Sequence, residues 1–320
     1  MPDSSNHLLS TRAIAMNPGY DPAQEGVLAT GGWRMSAREI PISATERQPR
    51  EMGGVVSRLG GHRPRVLITG AAGVVATVLA RNLGADHDLI GLDPLPVCEP
   101  QHWVTTMIGS VGDRDSVLAL GCEADYVLHL AHGAGQGWEG LRVVDIDGTR
   151  NVLDGALRGP CRRVVIGSSN HVVGWSELDY MAGLEVALPV GPQSSPRPDG
   201  LYGVAKVAGE ALARAAAEHG GLQVSVLRIG TVRADDDLAR AASDPSFAYI
   251  GDHEAVHRRL ERTWLFHADL VRIVRDEFTA SETFRLRYAT SSPDDEVWSS
   301  EVLTWAVPDT AGRRESRPSS

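Results

Sequence analysis

From Arg65 onward the chain repeats one pattern: a short unbroken apolar run, a glycine-rich turn, then apolar residues spaced three and four apart. Strand-like, mainly apolar runs cover 66–68, 87–92, 126–130, 163–166 and 223–229. A strand with one wet face alternates apolar and polar residues, so a run apolar at successive positions predicts a strand buried on both faces. The helical spacing between the runs predicts crossover helices over 72–83, 145–157 and 202–218. Strand, turn and helix in that alternation specify an α/β fold, a Rossmann-like doubly wound parallel sheet. Past Ile229 the regularity weakens. A helix over 268–278 and a late strand over 284–289 are expected there, and the short remainder leaves room only for a small C-terminal substrate-binding portion.

Residues 1–63 scatter Gly, Pro, Ser and Arg without periodicity, which predicts a disordered N-terminal extension. One catalytic domain over 64–309 and a polar tail over 310–320 are expected to follow it. Met1, Met16, Met35 and Met52 all fall in the extension, so the natural start is expected downstream of Met1. A net charge of -10 argues against nonspecific nucleic-acid binding, which neutralises phosphate with clustered Lys and Arg. No apolar stretch approaches the roughly 20 residues of a membrane helix. The first residues also lack the basic-then-apolar layout of a signal peptide, so no membrane partner and a cytoplasmic location are expected. Cys98, Cys122 and Cys161 are an odd number with no close pair. They predict neither disulfide nor metal site, and are expected to be reduced, mostly buried thiols.

At 66–73 a strand ends in Thr69-Gly70-Ala71-Ala72-Gly73 and a helix begins. Backbone amides and the positive helix end can meet a pyrophosphate there. Ala76 replaces the third glycine of the dinucleotide fingerprint and keeps the position small. Asp93 ends the second strand 20 residues after Gly73, where a carboxylate can hydrogen-bond adenosine ribose hydroxyls. That favours NAD, since a 2′-phosphate would meet a carboxylate and Pro94-Leu95-Pro96 offers no arginine. A plain turn aspartate before proline is the structural alternative.

Two further segments follow in order, Ser168-Ser169-Asn170-His171 at a strand end and Tyr202-Gly203-Val204-Ala205-Lys206 opening a helix. A free tyrosine loses its proton near pH of about 10, so a tyrosine base at neutral pH needs a neighbouring cation. Tyr202 and Lys206, four apart on a helix, share a face, and the ammonium can stabilise a phenolate. Ser169 can orient the substrate oxygen. A Tyr-Lys pair alone is an ordinary surface pair; the serine and the glycine turn, in this order, turn the reading toward hydride transfer from a carbinol.

On these motifs, Arg65 to about Trp298 resembles the extended short-chain dehydrogenase/reductase superfamily, the NAD-dependent epimerase/dehydratase family. Ser168-Ser169-Asn170-His171-Val172-Val173-Gly174, Arg228-Ile229-Gly230-Thr231 and Thr263-Trp264-Leu265 look most like the uronate dehydrogenases, which oxidise C1 of a hexuronic acid to an aldarolactone with NAD. The resemblance implies NAD as cofactor, a small sugar-acid substrate, and a homodimer paired through 145–157 and 202–218. It implies Ser169, Tyr202 and Lys206 as catalytic residues. It implies Gly70, Ala72, Gly73, Val74, Asp93, Leu130, Ala131, Tyr202 and Lys206 at the cofactor. Ser169, Asn170, His171, Thr231 and Arg259 would contact the sugar, with Thr231 in a place usually held by serine and Arg259 on the carboxylate. A guanidinium suits that last role on chemistry alone, through two parallel charge-assisted hydrogen bonds. Arg258 and Arg262 make a solvated basic stretch the structural alternative, and a loop histidine with structural hydrogen bonds is the alternative for His171.

The chain departs from the family at three points. The loop Leu130-Ala131-His132-Gly133-Ala134-Gly135 lacks a substrate-binding serine, Asp145 stands where an asparagine is common, and Ser110 where an adenine-side aspartate is common. Residues 233–257 read as an insertion. Three other activities stay open: a nucleotide-sugar epimerase or dehydratase, another sugar or lactone reductase, and a noncatalytic NAD-sensing regulator.

Overall fold

Val66 and Ile68 turn to one side of β1 (Arg65–Thr69) and Leu67 to the other, and all three are fully buried. An unbroken apolar run is the sequence record of a strand covered on both faces. The computed structural model describes residues 63–248, 250–292, 298–299 and 301–305. All of them belong to the unit that spans Ile42–Ser320. The extension expected over 1–63 lies outside the described residues up to position 62, and so does the tail expected over 310–320.

In chain order the elements after β1 are α1 (Val74–Leu83), β2 (Asp88–Asp93), β3 (Thr105–Ile108), α2 (Arg114–Gly121), β4 (Tyr126–His129) and α3 (Gly137–Leu141). A π-helical stretch (Arg142–Asp147) leads into α4 (Gly148–Arg158) and β5 (Arg163–Ser169). A 3-10 turn (Asn170–Val173) then precedes α5 (Gly174–Met181), α6 (Leu201–Gly220) and β6 (Gln223–Ile229). The remainder is α7 (Leu238–Ala241), α8 (His253–Thr263), α9 (His267–Thr279), β7 (Phe284–Ala289) and β8 (Leu303–Trp305).

The described strands form one sheet in the order β3-β2-β1-β4-β5-β6-β7-β8, parallel except for the last pairing. One face packs Leu67, Val127, Val164 and Val224 against Val152 of α4 and Ala213 of α6. The other packs Val66, Leu128 and Leu227 against Leu79 of α1 and Ile273 of α9. The chain runs outward from β1 to β3 and returns to β4, so the crevice at the carboxyl ends of β1 and β4 is the switch point where such sheets bind ligands. Thr69 pairs with His129, and Ser169 with Ile229, which brings four strand ends to that edge.

Some elements carried no usable pattern. All of β3 is exposed, and β8 has three residues, so neither shows a burial period. The helix expected over 72–83 starts only at Val74, because Gly73 is extended at φ -74 and ψ 160. The helix expected over 145–157 starts earlier, at α3, and passes through the π-helical stretch that buries Asp145. The thiols were expected to be mostly buried, but only Cys161 is; Cys122 is half-buried and Cys98 is exposed in the proline-bounded loop after β2. In the segment expected to be an insertion, Ala241, Ala242, Phe247 and Val256 form a small core with Leu260 and Trp264. Among the described residues no helix is long and apolar enough to cross a membrane.

Candidate active site

The turn after β1 passes hard against the loop leaving β4. Gly70 has φ +72, and a Cβ there would lie 2.7 Å from the Ala131 nitrogen, so only glycine fits. Gly70 donates to the Leu92 carbonyl at 2.9 Å and Gly73 to the Gly70 carbonyl at 3.0 Å. Asp93, at the end of β2, accepts from the Ala72 amide at 3.1 Å and from the Leu95 amide at 2.8 Å. It therefore acts as a turn aspartate and also stands beside the glycine turn. Ala131 backs the turn, its amide 3.4 Å from Thr69 Oγ1. A cleft of about 300 Å³ opens over this edge, with Gly70, Gly73, Val74, Leu130, Tyr202 and Lys206 in its walls. A turn with no side chain larger than a methyl group, the start of α1 and a carboxylate at the end of β2 fit the pyrophosphate and ribose of a dinucleotide.

Ser169 ends β5 almost fully buried, and its Oγ accepts from the His171 amide at 3.3 Å, capping the 3-10 turn. Helix α6 crosses that turn closely, because Gly203 offers no Cβ: one would lie 2.4 Å from the His171 carbonyl oxygen. The approach sets the Tyr202 ring edge-on to His171, 5.7 Å between centroids, and to His132 at 6.1 Å. One turn along, Lys206 Nζ lies 5.5 Å from the centre of the Tyr202 ring. It donates to the Gly167 carbonyl at 2.9 Å and pairs with Asp145 Oδ1 at 2.9 Å. Asp145 is 2% exposed, and its Oδ2 accepts from the Gly133 amide at 2.7 Å.

Polar chains beneath these residues hold them. Thr149 Oγ1 donates to the Asp145 carbonyl at 2.6 Å, so it accepts from His129 Nε2 at 2.9 Å. His129 Nδ1 is left to accept from Thr69 Oγ1 at 2.7 Å, an order that assigns the ring proton to Nε2. Burial, with the Lys206 charge adding to it, lowers the His129 pKa to about 3 and keeps the imidazole neutral. Burial and the Lys206 charge also lower that of His132. Ser168 donates to Glu210 at 2.6 Å, and Glu210 accepts both Nε and Nη2 of Arg228 at 2.9 Å. The end of β5 is thereby tied to α6 and β6.

A second cleft of about 450 Å³ shares Ser169, Tyr202 and Gly230 with the first. Asn170, His171, Thr231 and Arg259 complete the expected sugar set around it, joined by Phe247 from the insertion. His171 Nδ1 is held by Asp199 at 2.7 Å, and the Thr231 hydroxyl lies 3.2 Å from that of Thr263. Arg259 is not part of a solvated basic stretch. Its side chain is 10% exposed, and its Nε and Nη2 donate to the two carboxylate oxygens of Glu177 at 2.8 and 2.9 Å.

Residues 66–274 match the NAD dependent epimerase/dehydratase family. The chain belongs to that family. Its cofactor is NAD. The L-arabinose 1-dehydrogenase (NAD(P)(+)) of Haloferax volcanii is 33% identical over 223 residues, 68% of this chain and 83% of that protein. The crystal structure of uronate dehydrogenase from Agrobacterium tumefaciens superposes with a TM-score of 0.60 at 26% identity, covering 74% of this chain and 80% of the other. A mutant of the uronate dehydrogenase from that species, complexed with NAD, gives 0.60 at 25% identity over 74% and 81% of the two chains.

Within this family frame, four side chains that line the clefts or hold their lining residues were not singled out as site residues from the sequence. Asp199 lies three residues before Tyr202, close enough to have been considered. His132 stands in the loop that lacks serine and lines the first cleft. Phe247 arrives with the insertion. Glu177 is 82 residues from Arg259, and no local pattern pairs them.

Proposed function

We propose that this chain is a sugar dehydrogenase that oxidises the anomeric carbinol, C1, of a free monosaccharide to its lactone. The observation that carries the reading is that Ser169 and Tyr202 belong to the walls of both clefts. A carbinol in the second cleft can therefore present C1 to the first. Ser169 Oγ steadies the substrate oxygen while the Tyr202 phenolate takes its proton. The C1–H bond breaks with its electron pair as the carbonyl forms. Bound NAD supplies the hydride acceptor. Lys206, fixed by Gly167 and Asp145, presents its charge to the Tyr202 ring. Asn170, His171 and Thr231 meet the sugar hydroxyls, and this positioning supplies much of the rate. The carboxylate of Asp93 favours NAD over its 2′-phosphorylated form. A hexuronic acid and a neutral aldose both satisfy this scheme.

The test is NADH formation from a panel of free aldoses, uronates and nucleotide sugars. Tyr202→Phe is expected to lower kcat by about 10²- to 10⁴-fold, the range of general-base catalysis, with NAD affinity kept. Near-native kcat in that variant rejects the role of Tyr202.

A further inference from the structure

We propose that Glu177 makes the second cleft a site for neutral aldoses, because it occupies the edge of Arg259 that a uronate carboxylate would need. The inference rests on the sugar dehydrogenase reading and supplies its substrate class.

Nε and Nη2 of Arg259 meet the two oxygens of Glu177 at 2.8 and 2.9 Å, the parallel geometry with which a guanidinium takes a carboxylate. Glu177 is thus an internal stand-in for the acid group of a uronate. The two side chains are 8% and 10% exposed, so water screens the pair little. An incoming uronate has two options. It can share Arg259, which sets a second carboxylate beside a buried one on one guanidinium. It can displace Glu177, which leaves that carboxylate buried without its partner.

Among the described residues the other basic side chains at the cleft have partners, and Arg262 lies over the Tyr180 ring. His171 is paired with Asp199 at 2.7 Å, and Lys206 with Asp145 at 2.9 Å. Of the neighbours, Arg258 meets Glu254 and Arg233 meets Asp244. What faces the substrate is a charge-balanced wall with hydroxyl, amide and imidazole groups and the apolar ring of Phe247. That lining suits hydroxyls on an uncharged ring.

The experiment compares sugars matched at every carbon but one, D-galactose with D-galacturonate and D-glucose with D-glucuronate, together with L-arabinose. The full chain with NAD is used. The expected kcat/KM for the better neutral sugar exceeds that of its uronate by about 100-fold or more, the scale on which a buried charge left unpaired discriminates. Glu177→Gln is expected to raise kcat/KM for uronates at least about 10-fold, because the carboxylate on that guanidinium edge, which repels an incoming one, is removed. Equal or better turnover of uronates by the native chain overturns the assignment, as does a folded Glu177→Gln protein that gains nothing on them.

Binding of the same sugars to NAD-loaded Tyr202→Phe, measured by calorimetry, separates the two readings and keeps the test independent of how Glu177→Gln folds. Preferential binding of neutral sugars with no turnover by the native chain keeps the specificity assignment and removes the dehydrogenase reading. Preferential binding of uronates overturns the assignment whatever the turnover. Failure to bind or turn over either class overturns both.

Discussion

Asp145 is the residue on which the chemistry of this site departs most from what its Tyr-Lys motif alone implies. It sits 2.9 Å from Lys206 Nζ in a buried pair, so the cation beside Tyr202 carries its counter-charge with it. Asp145→Asn keeps an oxygen that can accept from the Gly133 amide and removes the charge. Lys206 then loses the carboxylate that fixes it beside the Tyr202 ring, and kcat is expected to fall about 10-fold or more, the scale of a misplaced positioning group. The same change costs about 3–5 kcal/mol of folding stability, since a buried ammonium loses its partner. An unchanged kcat alongside the stability loss would make Asp145 a scaffold residue only.

At the scale of elements, the site depends on how closely α6 crosses the 3-10 turn that follows β5. Gly203 is the point of contact, and the atom it would strike as alanine is a backbone oxygen, which cannot swing aside as a flexible side chain would. Gly203→Ala should push the start of α6 off the turn and carry Tyr202 away from Ser169. A displacement near 1 Å is enough to lower kcat by about 10²-fold. Circular dichroism is expected to report unchanged helix content, and full activity in a folded Gly203→Ala protein would show that the helix can shift without cost. The helical spacing of 202–218 already announced α6, and the strand-end position of Ser169 announced β5. Their closeness was not legible, because it depends on a missing side chain at one crossing and on no periodicity at all.

Across the whole molecule, His129 links β1, β4 and α4 through Thr69 and Thr149, and burial holds it neutral with a pKa of about 3. In the unfolded chain the imidazole protonates near about 6.5. Between those values the unfolded state binds the extra proton and the folded state does not, so stability falls as the pH drops from about 6.5 toward 3. The contribution of this group is complete above that window, and its slope within it reaches about 1.4 kcal/mol per pH unit. Urea titrations at pH 7, 6 and 5 are expected to show the loss, with NMR finding the buried imidazole still neutral at pH 5. A protonated His129 at pH 6 would contradict the assignment.

The alternation of buried runs and spaced helices, the glycine turn, and a tyrosine one helical turn from a lysine are local features, set by backbone geometry and by residues within a few positions of each other. They were enough for the doubly wound sheet and for expecting the glycine turn, Ser169, Tyr202 and Lys206 to meet at one cleft. The exposed edge strand β3 and helix α5 escaped because neither shows a clean period of burial. The charge of the sugar site was decided only by folding. Glu177 reaches Arg259 across 82 residues, Asp199 reaches His171 across 28, and Asp145 reaches Lys206 from a different helix. Coulomb energy depends on separation and on burial, and neither quantity exists along a chain until α5, α6 and α8 have packed around the ends of the sheet.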